Sequence, residues 1–206
     1  MKISLNQKSA RKGFTLIEMI GVLAVIAILA SLLIPKIFEA INNARISNAS
    51  LSYNTVKTAL ADHYSKFGSL VSSNGTSFGV GTSVLLNFDK VLVSEGFLDK
   101  AFSVKIGDQS VGATQHVEVV AALDTSAAPT ATDSRYSLAG DNVNEAVGSA
   151  VAQVVIPGVL ESDARALSLL LDGATMSTAI GTSDTSGRVK YATGSPTVVY
   201  IYLTHR

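Results

Sequence analysis

The chain has no cysteine and no tryptophan among its 206 residues. A disulfide therefore cannot staple the fold, even in a compartment that would permit one. Aromatic residues are few, at 6%, and charged residues make up 16%. Ala, Ser, Thr, Val and Gly are plentiful instead, which suits a light, β-containing extracellular domain with polar loops. No HExxH, Walker or glycine-fingerprint motif occurs, and no Ser/His/Asp arrangement is legible. The chain thus reads as a non-enzyme without catalytic residues. Its histidines, His63, His116 and His205, are scattered and read as surface or helix-face residues rather than metal ligands. No internal repeat is visible.

What the chain does have is one long apolar run. From Phe14 to Ile34 the only polar side chains are Thr15, Glu18 and Ser31. A helix rises about 1.5 Å per residue, so about 20 such residues cross a hydrocarbon core of about 30 Å. Before the run stands a short basic stretch, Met1 to Gly13, with Lys2, Lys8, Arg11 and Lys12. Cations on that side predict a cytoplasmic N-terminus, with the rest of the chain outside the inner membrane. Glu18 is the anomaly. A carboxylate inside a membrane-length segment is costly, so it reads as functional by default. The competing reading is that Glu18 snorkels to the headgroups from one turn inside the segment.

Two plainer readings account for the run alone. A secretory signal peptide would be cut near Ala30 and release a soluble domain. The run exceeds an h-region of about 7–15 residues, and Ile28-Leu29-Ala30 lacks a small-x-small site. A single-span anchor is the other. Neither explains Glu18 beside Gly13-Phe14.

Gly13-Phe14-Thr15-Leu16-Ile17-Glu18 resembles the cleavage and methylation signal of the type IV pilin superfamily, which includes the pseudopilins of type II secretion. The resemblance covers roughly residues 1–35. It implies cleavage after Gly13 by a prepilin peptidase and N-methylation of Phe14. It also implies pairing of Glu18 with the Phe14 amine of a neighbouring subunit, and a helix kink at Pro35. Like subunits, an assembly ATPase and an inner-membrane platform protein are the implied partners, with membrane lipid around the helix before assembly. Lack of cysteine departs from the disulfide-closed loop of many Gram-negative pilins and leans towards a pseudopilin, while the long Ser/Thr/Gly loops suit a surface pilin.

The formal charge is zero, with 16 basic and 16 acidic side chains. Four of the cations lie in the leader. The mature chain would carry 12 against 16, a net of −4, which argues against non-specific nucleic-acid binding.

Beyond Pro35, Ala49, Tyr53, Val56, Leu60, Tyr64 and Phe67 recur at steps of three and four, as one face of an amphipathic helix. One helix from Phe14 to Phe67 is expected, bent near Pro35 and stopped by Gly68. Residues 68–87 read as a loop around Asn74-Gly75. A short helix around Phe88, Val91, Leu92 and Glu95 ends at Gly96. Phe102, Val104 and Ile106 alternate as a strand, with Val117, Val119 and Ala121 as its antiparallel partner. Residues 124–134 read as turns, and Ala150–Ile156 as a buried strand closed by Pro157-Gly158. Glu161–Leu171 reads as a helix with Ala164, Leu167, Leu170 and Leu171 on its apolar side. Two strands, Arg188–Ala192 and Thr197–Leu203, flank Gly194-Ser195-Pro196, with Pro196 at a strand start or edge.

The expected fold is pilin-like α+β, a long N-terminal helix packed on a small antiparallel sheet. Its parts are a leader at 1–13, a transmembrane and assembly helix at 14–34, an amphipathic half at 35–67 and a head at 68–206. No cofactor is expected. A calcium site in the loop 172–187, around Asp172 and Asp184, is weighed against a solvated loop; its oxygen spacing fits no dedicated motif. Arg188, Lys190 and Arg206 read as dispersed surface cations. Asn48-Ala49-Ser50 and Asn74-Gly75-Thr76 fit a short glycosylation sequon. The leading function is a subunit of a pilus or pseudopilus. The alternatives are a minor pilin with an adhesive or DNA-binding head, and a secreted or singly anchored domain.

Overall fold

The computed structural model describes residues 13–70, 84–107, 114–121 and 127–206. The chain divides into two units, Met1–Asn43 and Ala44–Arg206. The boundary falls inside helix α1, Leu16–Phe67, which is 52 residues long.

In the first unit α1 is apolar all round from Met19 to Ile34 apart from Ser31, and its large apolar side chains are exposed from Leu16 to Ile41. Leu, Ile, Met and Ala support a helix there, and no polar stripe favours one side. Pro35 lies inside the unbroken helix. It has no N–H to offer the Ser31 carbonyl one turn back. Ser31 itself donates its hydroxyl to the Ile28 carbonyl at 2.7 Å.

In the second unit α1 becomes one-sided. Ile46, Ala49, Tyr53, Val56, Ala59, Leu60 and His63 are buried, at the three- and four-residue steps that place them on one face. Tyr64, expected inside, is only half-buried, and Phe67 is exposed. His63 takes the inner position instead. Gly68, at φ 70°, stops the helix and donates its N–H to Tyr64 O at 2.8 Å.

The sheet has five antiparallel strands: β1 Val84–Leu85, β2 His116–Ala121, β3 Ala150–Val159, β4 Val189–Tyr191 and β5 Thr197–His205. Their order is β1-β2-β3-β5-β4, so β3 is central. Its near-continuous burial follows from that place. Register is fixed by pairs such as Val117↔Val154 and Val154↔Ile201. On the inner face, Val117, Val119, Val154, Ile156, Val199 and Ile201 share one core with α1's buried stripe. Helices α2, Phe88–Ser94, and α3, Glu161–Leu171, add Phe88, Leu92, Ala164 and Leu167 to it. Each such Val, Ile, Leu or Phe side chain contributes about 1.5–3 kcal/mol relative to exposure.

Four expectations are corrected. Ala101–Ile106 is not a strand. Phe102, Val104 and Ile106 are buried, as their alternation predicts, but side chains replace the ladder. Phe102 N donates to Asp89 Oδ2 at 2.9 Å and Val104 N to Gln115 Oε1 at 2.6 Å, while Gln115 Nε2 donates to Ile106 O at 2.8 Å. The partners of β2 are β1 and β3 instead, so the loop expected over 68–87 ends in a strand. Third, β3 does not close at Pro157-Gly158. It runs to Val159 through a bulge, where proline is tolerated and Gly158 takes φ 71°. Fourth, α3 has the expected bounds but turns Ser168 inward and leaves Leu170 52% exposed. Pro196 immediately precedes β5, as expected, after a cis Ser195–Pro196 bond. The Asn74 sequon lies outside the described residues, as do residues 124–126 of the expected turn region. Asn48 lies exposed within α1.

The outer face of the sheet is different in kind. Segment 127–149 lies against it, with Tyr136 and Ala146 packed on Val151 and Tyr202. Tyr136 donates its hydroxyl to Gln153 Oε1 at 2.7 Å, and Gln153 Nε2 donates to Glu118 Oε1 at 2.7 Å.

Candidate functional site

The residues singled out at the N-terminus sit together at the head of α1. Thr15 precedes the helix and Glu18 stands in its first turn. Thr15 N donates to Glu18 Oε2 at 2.8 Å, and Thr15 Oγ1 donates to the same oxygen at 2.7 Å. Glu18 N in turn faces Thr15 Oγ1 at 3.3 Å. This is a reciprocal capping box, in which side chains satisfy backbone donors the helix start leaves open. The pattern Thr-x-x-Glu was readable in the sequence and adds a third role for Glu18 beside pairing and snorkelling. The carboxylate also lies at the positive end of the helix dipole.

Gly13 and Phe14 precede this box. Phe14 is 84% exposed. Nothing among the described residues demands glycine at position 13. A Cβ there would meet nothing within 4 Å. From Leu16 onward, α1 is the one helix among the described residues long and apolar enough to cross a membrane, and its most apolar 18-residue window is wholly exposed.

The other candidates are distributed through the head. Of the histidines read as surface or helix-face residues, His63 lies on the inner face of α1, fully buried with Nδ1 2.7 Å from Glu95 Oε2. Phe67, Phe88 and Phe97 ring it with centroids at 4.8, 5.4 and 5.5 Å. His116 is half-buried, with Nε2 3.5 Å from Glu118 Oε2 and Nδ1 2.7 Å from Thr114 O. The hydrogen bond to Glu118 raises it above the usual histidine value, against burial. His205 sits beside the Tyr202 hydroxyl at 2.5 Å.

In the loop 172–187 both carboxylates are engaged by protein donors. Asp172 accepts from Arg188 N at 2.9 Å, Val189 N at 2.8 Å and Arg188 Nε at 3.0 Å. Gly187 approaches so closely that a Cβ would lie 2.7 Å from that carboxyl. Asp184 is buried and accepts from Ser168 Oγ at 2.8 Å. Burial raises its carboxyl above the usual value, against the bond from Ser168. Of the cations read as surface residues, Lys190 is fully buried, Arg188 pairs with Asp172, and Arg206 stacks 4.7 Å from the Tyr64 ring centroid.

Residues 8–34 match the prokaryotic N-terminal methylation motif. The chain is 38% identical over 73 residues to the fimbrial protein of Neisseria meningitidis serogroup B, covering 35% of this chain and 42% of that one. It is 37% identical over 73 residues to the type IV major pilin protein of Neisseria gonorrhoeae, covering 43% of it. The chain thus spans under half the length of these curated relatives. No solved structure matches. With the Gly13–Glu18 signature, these matches show that the N-terminal segment of the chain is similar to that of type IV pilins.

Proposed function

We propose that the chain is a structural subunit of a type IV pilus or pseudopilus, made as a membrane-inserted precursor and polymerised through α1. The observation that carries this reading is the capped carboxylate of Glu18 at the head of an exposed, membrane-length apolar helix. A prepilin peptidase would cut after Gly13, where the chain's own fold gives glycine no task and an unhindered bond suits an enzyme. Cleavage creates the Phe14 amine, which would be N-methylated.

The physics of assembly follows. In the precursor, Glu18 leans on Thr15 through Oε2. In a filament, the Phe14 amine of a second copy would meet the same carboxylate. Two charges that are costly alone in hydrocarbon then neutralise each other, and the pair fixes the axial register of neighbouring helices. Lipid around residues 14–34 would be replaced by like helices, with Pro35 allowing a bend. An assembly ATPase and a platform protein would drive extraction from the inner membrane, the head lying outside the cytoplasm.

Two measurements test this. N-terminal mass spectrometry of membrane and sheared-surface fractions should find a chain beginning at N-methylated Phe14. A chain beginning near Ser31, or an uncut Met1, would leave a secreted or singly anchored domain. Glu18→Ala should abolish incorporation into fibres while leaving the membrane-inserted chain. Normal incorporation of the variant would sink the pairing role.

A further inference from the structure

One group in the head is used neither by the candidate site nor by the proposed function. Lys190 lies in edge strand β4, between Val189 and Tyr191, which face the inner core. Its own side chain points to the outer face and is fully buried. Four oxygens surround Nζ: Thr130 O at 3.0 Å, Asp133 O at 2.9 Å, Asp133 Oδ1 at 3.1 Å and Arg135 O at 2.5 Å. The Tyr136 ring closes another side, its centroid 4.2 Å away.

All four oxygens belong to one short turn, which Asp133 also holds from within. Thr130 N and Oγ1 donate to Asp133 Oδ2 at 3.0 and 2.8 Å, and Arg135 N donates to Oδ1 at 3.0 Å. The Arg135 guanidinium sits 2.6 Å from Oδ2. Three main-chain carbonyls and a carboxylate aimed at one buried point repel each other unless a positive charge sits there. Convergent carbonyl and carboxylate oxygens are the donor set that holds a hard cation. Here the centre is occupied by an ammonium. Burial pushes Lys190 down to about 8 against the pull of Asp133, so it still carries its proton at neutral pH.

We propose that the 130–135 turn is a cation-organised loop whose cation is supplied covalently by Lys190. The ammonium clamps segment 127–149 on the outer face of the sheet, and the native chain needs no free ion to do so. Once the ammonium is removed, the oxygen cage is a binding site for a small alkylammonium.

The test is amide hydrogen exchange on the full chain in detergent micelles, comparing wild type with Lys190→Ala. Peptides within 127–149 should exchange about tenfold faster or more in the variant, because a local opening then exposes them. Peptides from β3 should be unchanged. Adding n-propylammonium chloride should restore protection in the variant. n-Propanol with tetramethylammonium chloride, matched in size and ionic strength, should not. Unchanged exchange in the variant, no restoration by propylammonium, or equal restoration by propanol would each overturn the proposal. If Lys190→Ala does not fold, Lys190→Met keeps the stem and removes the charge. It should show the same fast exchange confined to 127–149, and wild-type protection in that variant would overturn the proposal equally.

Discussion

The two faces of the sheet are built by different physics. The inner face meets α1, α2 and α3 with Val, Ile, Leu and Ala, and its stability is proportional to area. The outer face buries Glu118, Gln153, Tyr136 and Lys190, each of which needs a specific partner. Apolar burial is non-directional, so the inner face depends on pattern and volume. A buried polar group left unpaired costs its full desolvation, so the outer face depends on individual contacts.

The sharpest contrast comes from truncation on each face. Leu60→Ala removes a fully buried side chain from the stripe of α1 that meets the inner face. It should cost about 2–5 kcal/mol, the range for cavities in close-packed cores. Thermal or denaturant unfolding of the full chain in detergent would read it. A cost near zero would mean that the helix does not depend on that core.

On the outer face the expected cost is smaller and of another kind. Gln153→Leu keeps the volume, but it takes the acceptor from the Tyr136 hydroxyl and a donor from Glu118. About 1–3 kcal/mol should be lost. Tyr136→Phe in the same background should then cost little further, since the hydroxyl is already orphaned. Full additivity of the two changes would show that the bond contributes nothing jointly, and would erase the distinction between the faces.

This difference also explains what was legible in the sequence. Periodicity reports area, so the inner face could be read in advance. The stripe Ala49, Tyr53, Val56 and Leu60, the bounds of α3, and β2, β3 and β5 all followed from apolar spacing. The head of α1 was legible for a different reason, because Gly13 to Glu18 is a contiguous motif. Even there the capping partner Thr15 went unread, although Thr-x-x-Glu spells it. Side-chain partners across long separations leave no such trace. Asp89 serves Phe102 N and, at 3.2 Å, Val117 N, which turned an expected strand into an irregular but buried segment. His63 and Lys190 are polar types that composition places outside. Each is inside because residues 32 and 55–60 positions away, respectively, supply its partner.

The finest distinction between the faces lies in how stability follows pH. His116, on β2, faces Glu118 on the same strand, the Thr114 carbonyl, and Asp89 of α2 at longer range. The hydrogen bond to Glu118 raises its pKa, against burial, so the folded chain holds that proton more tightly than the unfolded chain. The resulting stabilisation is complete below the ordinary histidine value of about 6.5 and is lost as pH rises through the higher folded value. It should amount to less than about 1 kcal/mol, as befits a partly exposed pair. Unfolding midpoints of wild type and His116→Gln should therefore separate most below pH 6.5 and converge above the folded value. A gap that stays constant across that range would assign His116 a packing role only, and the raised proton affinity would then have no bearing on how the outer face is held.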